Sequence, residues 1–116
     1  NPVARLTVAG GFAKTSKLAG GHMDLHSGRS EVNIAALAAH LSELGAPAEI
    51  LTQARSAHSA GALLALAGDL PLGDRVAAAA LGIVKETLDG ADIAVDVTIF
   101  DRAGALIGRA GPNDNP

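Results

Sequence analysis

The sequence has no cysteine, tryptophan or tyrosine, and only two phenylalanines, Phe12 and Phe100. Without cysteine there is no disulfide framework and no thiolate metal site, and the expected compartment is a reducing one, the cytoplasm. Two aromatic rings cannot build the stacking platforms of single-strand nucleic-acid binders. Cations are scarce too: nine Lys and Arg against twelve Asp and Glu leave a formal net charge of −3. A phosphate-backbone binder needs surplus positive charge to displace counterions, so nucleic acid is not an expected partner. No uncharged apolar run reaches the roughly 18 residues of a membrane-spanning helix. No secretory signal is expected either, because Arg5 falls within the first strand-like residues.

What the chain does have is apolar sequence, 48% of 116 residues, much of it alanine. That suits one domain with a single core, thinly filled because alanine buries little area. Residues 1–111 read as that domain and residues 112–116 as a polar tail. The opening Asn1-Pro2, without an initiator Met, leads to the expectation of a domain cut from a longer protein. A missing N-terminal part is then a partner.

Residues 5–9 are short, partly β-branched and followed by Gly10-Gly11, which reads as a buried strand feeding a glycine turn. Residues 12–19 suit two helical turns, stopped by Gly20-Gly21. Residues 22–28 form a polar loop. Ser30 can cap a helix that places Ile34, Leu37, Ala38, Leu41 and Leu44 on one face, ended by Gly45 and Pro47. Residues 49–52 read as a second strand and residues 59–67 as a helix. After a break at 68–71 comes a long helix to Leu88. Residues 93–100 alternate Ile93, Val95, Val97 and Ile99 with Ala94, Asp96, Thr98 and Phe100, a strand signature. A turn at 101–104 returns the chain as a hairpin partner over 105–108. The expectation is a three-layer α/β domain with a small, mostly parallel sheet and a C-terminal β-hairpin.

In such sheets ligands sit beyond the carboxyl ends of the strands. The loop after the first strand carries Gly10 and Gly11, whose backbone can approach a ligand, then Lys14 and Lys17. The third glycine of a dinucleotide fingerprint is absent, and so is a P-loop. A denser group follows: His22, Asp24, His26, Ser27 and Arg29. Its histidines and Asp24 suit substrate orientation or proton transfer near neutral pH, while Asp24 and Ser27 equally suit turn capping. No metal is expected, because glycines mark this segment as a loop and a third ligand is lacking. Residues 1–60 carry five cations against four anions, and residues 61–116 carry four against eight. An anionic ligand would be drawn to the loop region.

Residues 10–31, GGFAKTSKLAGGHMDLHSGRSE, resemble a segment of the cobalt-precorrin-5B C1-methyltransferase family, the CbiD type of cobalamin biosynthesis. That family shows a glycine turn, a GK-x-x-KLA-x-G stretch, then THS and an acidic residue. Lys14, Lys17, Leu18, Ala19, Gly21, His26, Ser27 and Glu31 fall on the pattern. Ala13, Leu25 and Glu31 replace its usual Gly, Thr and Asp. A later helix ending in Leu-Gly-Ala, a long helix and a strand reading V-x-V-x-I-F-D-R-x-G-x-L-I-G are also similar. The resemblance implies S-adenosyl-L-methionine as co-substrate and a cobalt-corrinoid intermediate of anaerobic vitamin B12 synthesis as methyl acceptor. It makes His22, Asp24 and His26 catalytic candidates. Lys14, Lys17, Ser27 and Arg29 become substrate-binding candidates, and Gly10 and Gly11 cofactor-binding ones. Two alternatives stand beside it: a module that only holds the corrinoid, and a structural domain that forms a homo-oligomer through edge-to-edge pairing of the apolar strand 93–100.

Overall fold

Alternation of apolar and polar residues puts Val95, Val97 and Ile99 on one side of a strand, and all three are buried. This strand, β2 (Ile93–Phe100), is the centre of a three-stranded sheet. It is paired on both sides and has no free edge for the edge-to-edge oligomer that the sequence suggests. The computed structural model describes residues 4–20, 34–88 and 93–111. β1 (Ala4–Gly11) pairs parallel with β2, and β3 (Leu106–Ala110) pairs antiparallel with its other edge. The helices are α1 (Phe12–Ala19), α2 (Ile34–Glu43), α3 (Ala48–Arg55), α4 (Ala60–Ala67) and α5 (Leu72–Leu88).

The α/β class and the closing hairpin are as the sequence suggests. The strand expected at residues 49–52 is a helix instead, so the sheet is mixed, with one parallel and one antiparallel ladder. Pro47, extended at the N-cap, leaves its carbonyl to accept from the Leu51 N–H at 3.0 Å and start α3. Glu49 in the first turn suits the positive end of the helix dipole. Four apolar-leaning residues carry too little period to separate strand from helix.

The layers also stack differently from a sheet sandwiched by helices. α1 and α5 cover one sheet face, and α2, α3 and α4 pack beyond them as the third layer. Along α5, Leu72, Val76, Ala80 and Val84 recur every four residues and are buried toward the sheet and α1. Leu41 and Leu63 fill the space between the helical layers and are fully buried.

The other sheet face is polar. Thr7 and Asp96 are register partners, and Asp96 is only 5% exposed. The Thr7 hydroxyl donates to Asp96 Oδ1 at 2.7 Å and Arg5 Nε donates to the same oxygen at 3.4 Å. The Thr7 hydrogen bond, aided by Arg5 and the charge of Arg109, holds the Asp96 carboxyl below its usual range against the opposing effect of burial. Between α2 and α5, Arg75 Nε donates to His40 Nδ1 at 3.2 Å, and Arg75 also pairs with Glu43. Burial first, then the Arg75 charge, lowers the His40 pKa.

Both shifts destabilise the fold in acid. A depressed histidine pKa means the unfolded chain takes up its proton first, so stability falls as pH drops below about 6.5. The Asp96 contribution is present above the ordinary carboxyl pKa, about 3.9, and is lost as pH falls below it. Urea midpoints measured from pH 8 to 3 should therefore fall in two stages. His40→Gln should remove the upper stage and Asp96→Asn the lower. A midpoint unchanged down to pH 4 contradicts the His40 assignment.

Candidate functional site

Gly11 and Phe100 are register partners, so β1 and β2 end level with each other. The segments that follow them therefore emerge side by side at the carboxyl edge of the parallel pair, where α/β sheets receive ligands. A cleft of about 790 Å³ lies there. It is lined by Gly11 to Lys14 from the start of α1, by Ser59, Ala60, Gly61, Ala62 and Leu64 from α4, and by Phe100 to Ala103 from the hairpin turn.

Each wall has a local cause. No turn residue separates β1 from α1: Gly10 and Gly11 stay in the parallel ladder and the helix begins at Phe12. Gly11, the N-cap, is extended at φ −77° and gives no side-chain cap. Thr15 and Ser16 donate their hydroxyls back to the Gly11 and Phe12 carbonyls at 2.8 and 2.7 Å, anchoring the first turn. α4 begins at Ser59, whose side chain accepts from the Ala62 N–H at 3.1 Å. In the hairpin turn, Asp101 Oδ1 accepts from the amides of Ala103 and Ala105, both at 2.9 Å. Gly104, at φ 88°, supplies the left-handed residue that the turn requires.

Apolar walls from Phe12, Leu64 and Phe100 meet a rim bearing two cations, Lys14 and Arg102, and one carboxylate, Asp101. Part of that carboxylate is taken by the turn amides. Among the described residues the cleft therefore favours an anion.

Of the residues singled out in the sequence, Gly11 and Lys14 line the cleft. Gly10 lies one step back in β1, and Lys17, half-buried in the last turn of α1, is not among the lining residues. His22, Asp24, His26, Ser27 and Arg29 lie outside the described residues. Ser59 and Arg102 are additions that serial reading missed. A signal for Arg102 was available: a hairpin leaving the carboxyl end of a parallel strand must turn beside the site. Among the described residues no three metal-binding side chains cluster, and no helix is long and apolar enough to cross a membrane.

The family described as CbiD, C-terminal domain, matches residues 24–111. A cobalt-precorrin-5B C(1)-methyltransferase of Paramagnetospirillum magneticum is 46% identical over 110 residues, covering 95% of this chain and 31% of that protein. The protein of that name in Rhodospirillum rubrum is 42% identical over 96% of this chain and 32% of its own length. The one in Bradyrhizobium sp. is 44% identical over the whole of this chain and 32% of its own. The chain thus spans about a third of the length of these relatives. No solved structure matches. The chain belongs to the CbiD C-terminal-domain family.

Proposed function

We propose that this domain works as part of an S-adenosyl-L-methionine-dependent methyltransferase that methylates carbon 1 of cobalt-precorrin-5B in anaerobic cobalamin synthesis. The observation that carries the reading is the cationic, apolar-walled cleft at the carboxyl edge of the sheet, in a chain whose relatives bear that enzyme's name. A corrinoid intermediate is a greasy macrocycle edged with carboxylate arms. Lys14, which lines the cleft, is proposed to supply charge-assisted hydrogen bonds to such arms. Lys17, further along α1, and Arg29, later in the chain, are proposed to reach arms that extend beyond it. The donor, when bound, supplies an electrophilic methyl: its carbon–sulfur bond breaks as the ring carbon's bond forms, and a neutral thioether leaves. Alignment dominates such a step. His22, Asp24 and His26 are proposed to orient the ring and accept any proton the macrocycle gives up, and Ser27 to hold it in place. The rest of the longer protein is the domain's partner, and its compartment is the cytoplasm.

A second reading, in which the domain holds the corrinoid and takes no part in the transfer, is favoured by one observation. The cations that line the cleft, Lys14 and Arg102, suit holding an anionic ring. Transfer of labelled methyl in the full-length protein separates the two. On the first reading His26→Ala lowers kcat with the fold intact, because positioned groups act most strongly in the transition state. Lys17→Ala weakens corrinoid binding by about tenfold to a hundredfold, and His58→Ala changes little. On the second, His26→Ala leaves kcat unchanged. If neither His26→Ala nor Lys17→Ala alters transfer, the assignment of this loop fails.

A further inference from the structure

We infer that the cleft is the methyl acceptor's subsite, in which Arg102 and Lys14 clamp two carboxylate arms of a polycarboxylate macrocycle over a floor kept bare by Gly11 and Gly61. This rests on the proposed function and deepens it: it says which of two ligands this cleft takes and adds Arg102 and Gly61 to the residues that take it.

Three observations carry the inference. The first is charge. Lys14 and Arg102 line the cleft, and among the described residues neither is in an ion pair. Asp101, the one carboxylate in the lining, is engaged by the Ala103 and Ala105 amides. A sulfonium donor placed here would meet two like charges, whereas a carboxylate arm meets two opposite ones. Gly11, at the end of β1, then lies beside the acceptor rather than the donor.

The second is preorganisation of Arg102. Besides the two bonds to its Oδ1, Asp101 donates its N–H to the Ala105 carbonyl at 2.9 Å and accepts from the Gly104 N–H at 3.0 Å. Four hydrogen bonds thus fix the turn that carries the guanidinium, whose planar fork matches a carboxylate.

The third is the floor. Gly11 and Gly61 both line the cleft, and neither has a positive φ. A Cβ on either would come no closer than 4.0 Å to its nearest neighbour, the Phe100 carbonyl oxygen or Ser59 Oγ. Packing does not demand glycine at either position, and inside α4 it weakens the helix. Both leave open space at the cleft surface that a ligand can use.

The test uses the full-length protein and two probes. Cobyrinic acid is a corrin with free carboxyl arms, and its heptamethyl ester has the same ring without the charges. Binding is read by equilibrium dialysis with corrin absorbance, and S-adenosylmethionine binding by calorimetry. Arg102→Gln and Lys14→Gln should each weaken the acid by about tenfold to a hundredfold, leave the weaker ester unchanged, and leave S-adenosylmethionine unchanged. Lys85→Gln, an exposed charge loss on α5, is the control and should change none of them. Gly61→Ala should raise the urea midpoint of unfolding yet weaken acid and ester alike. Unaltered acid binding in Arg102→Gln, or lost S-adenosylmethionine binding in its place, overturns the inference. If the wild type binds the acid through Arg102 but transfers no methyl group, the polycarboxylate subsite stands while the proposed methyl transfer, and with it the name of acceptor, falls. If it binds no corrinoid acid, both fall.

Discussion

Gly73→Ala and Gly108→Ala should each cost the domain about 3 kcal/mol or more, because a methyl at either site meets backbone rather than yielding side chains. The first turn of α5 lies directly on β3. A Cβ at Gly108 would overlap the Gly73 carbonyl and lie 2.8 Å from the Asp74 nitrogen, and a Cβ at Gly73 would overlap the Ile107 carbonyl. Neither partner can step aside, since Asp74 Oδ1 accepts the Arg109 N–H at 2.9 Å and ties the same two elements together. A loss of that size is a large share of the roughly 5–15 kcal/mol that holds a domain of this kind. Gly82→Ala is the contrast. It lies exposed in the same helix with nothing within 4 Å, so it should stabilise by up to about 1 kcal/mol. Urea unfolding followed by circular dichroism reads all three. Losses below 1 kcal/mol at both Gly73 and Gly108 contradict the close approach.

Val97→Asp should abolish cooperative folding. Val97 is fully buried in the central strand, paired with Val8 on one side and Ala110 on the other. A carboxylate there would be enclosed on the α5 side of the core, and an unpaired buried charge is among the costliest single changes. Val97→Ala removes area without adding charge and should keep a two-state transition weakened by about 2 kcal/mol. A soluble Val97→Asp protein with an ordinary melting curve means that β2 does not pack as described.

β2 was legible because period-two alternation is strong over eight residues, and α5 because its apolar positions repeat at helical spacing over seventeen. α3 was not, since a four-residue stretch holds no period and its helical state depends on packing against α2 and α4. The Gly10-Gly11 pair suggests a turn, because glycine pairs usually mark one. Here the parallel ladder to Ile99 and Phe100 keeps them extended. Half of the cleft was legible for the same reason that half was hidden. Lys14 adjoins a strand end and attracts notice in sequence, whereas Ser59 and Arg102 are 45 residues or more further on. The pairing of β1 with β2 brings Arg102 beside it, and the packing of α4 on α1 brings Ser59.

The central claim is that the corrinoid acceptor is bound at the carboxyl edge of the β1–β2 pair. Amide hydrogen exchange in the full-length protein, with and without saturating cobyrinic acid, tests it most directly. The account predicts slowed exchange confined, within this domain, to residues 11–14, 59–64 and 100–103 and to chain segments that border them. Protection centred instead on the polar sheet face around Arg5, Thr7 and Asp96, with residues 100–103 unchanged, would contradict it.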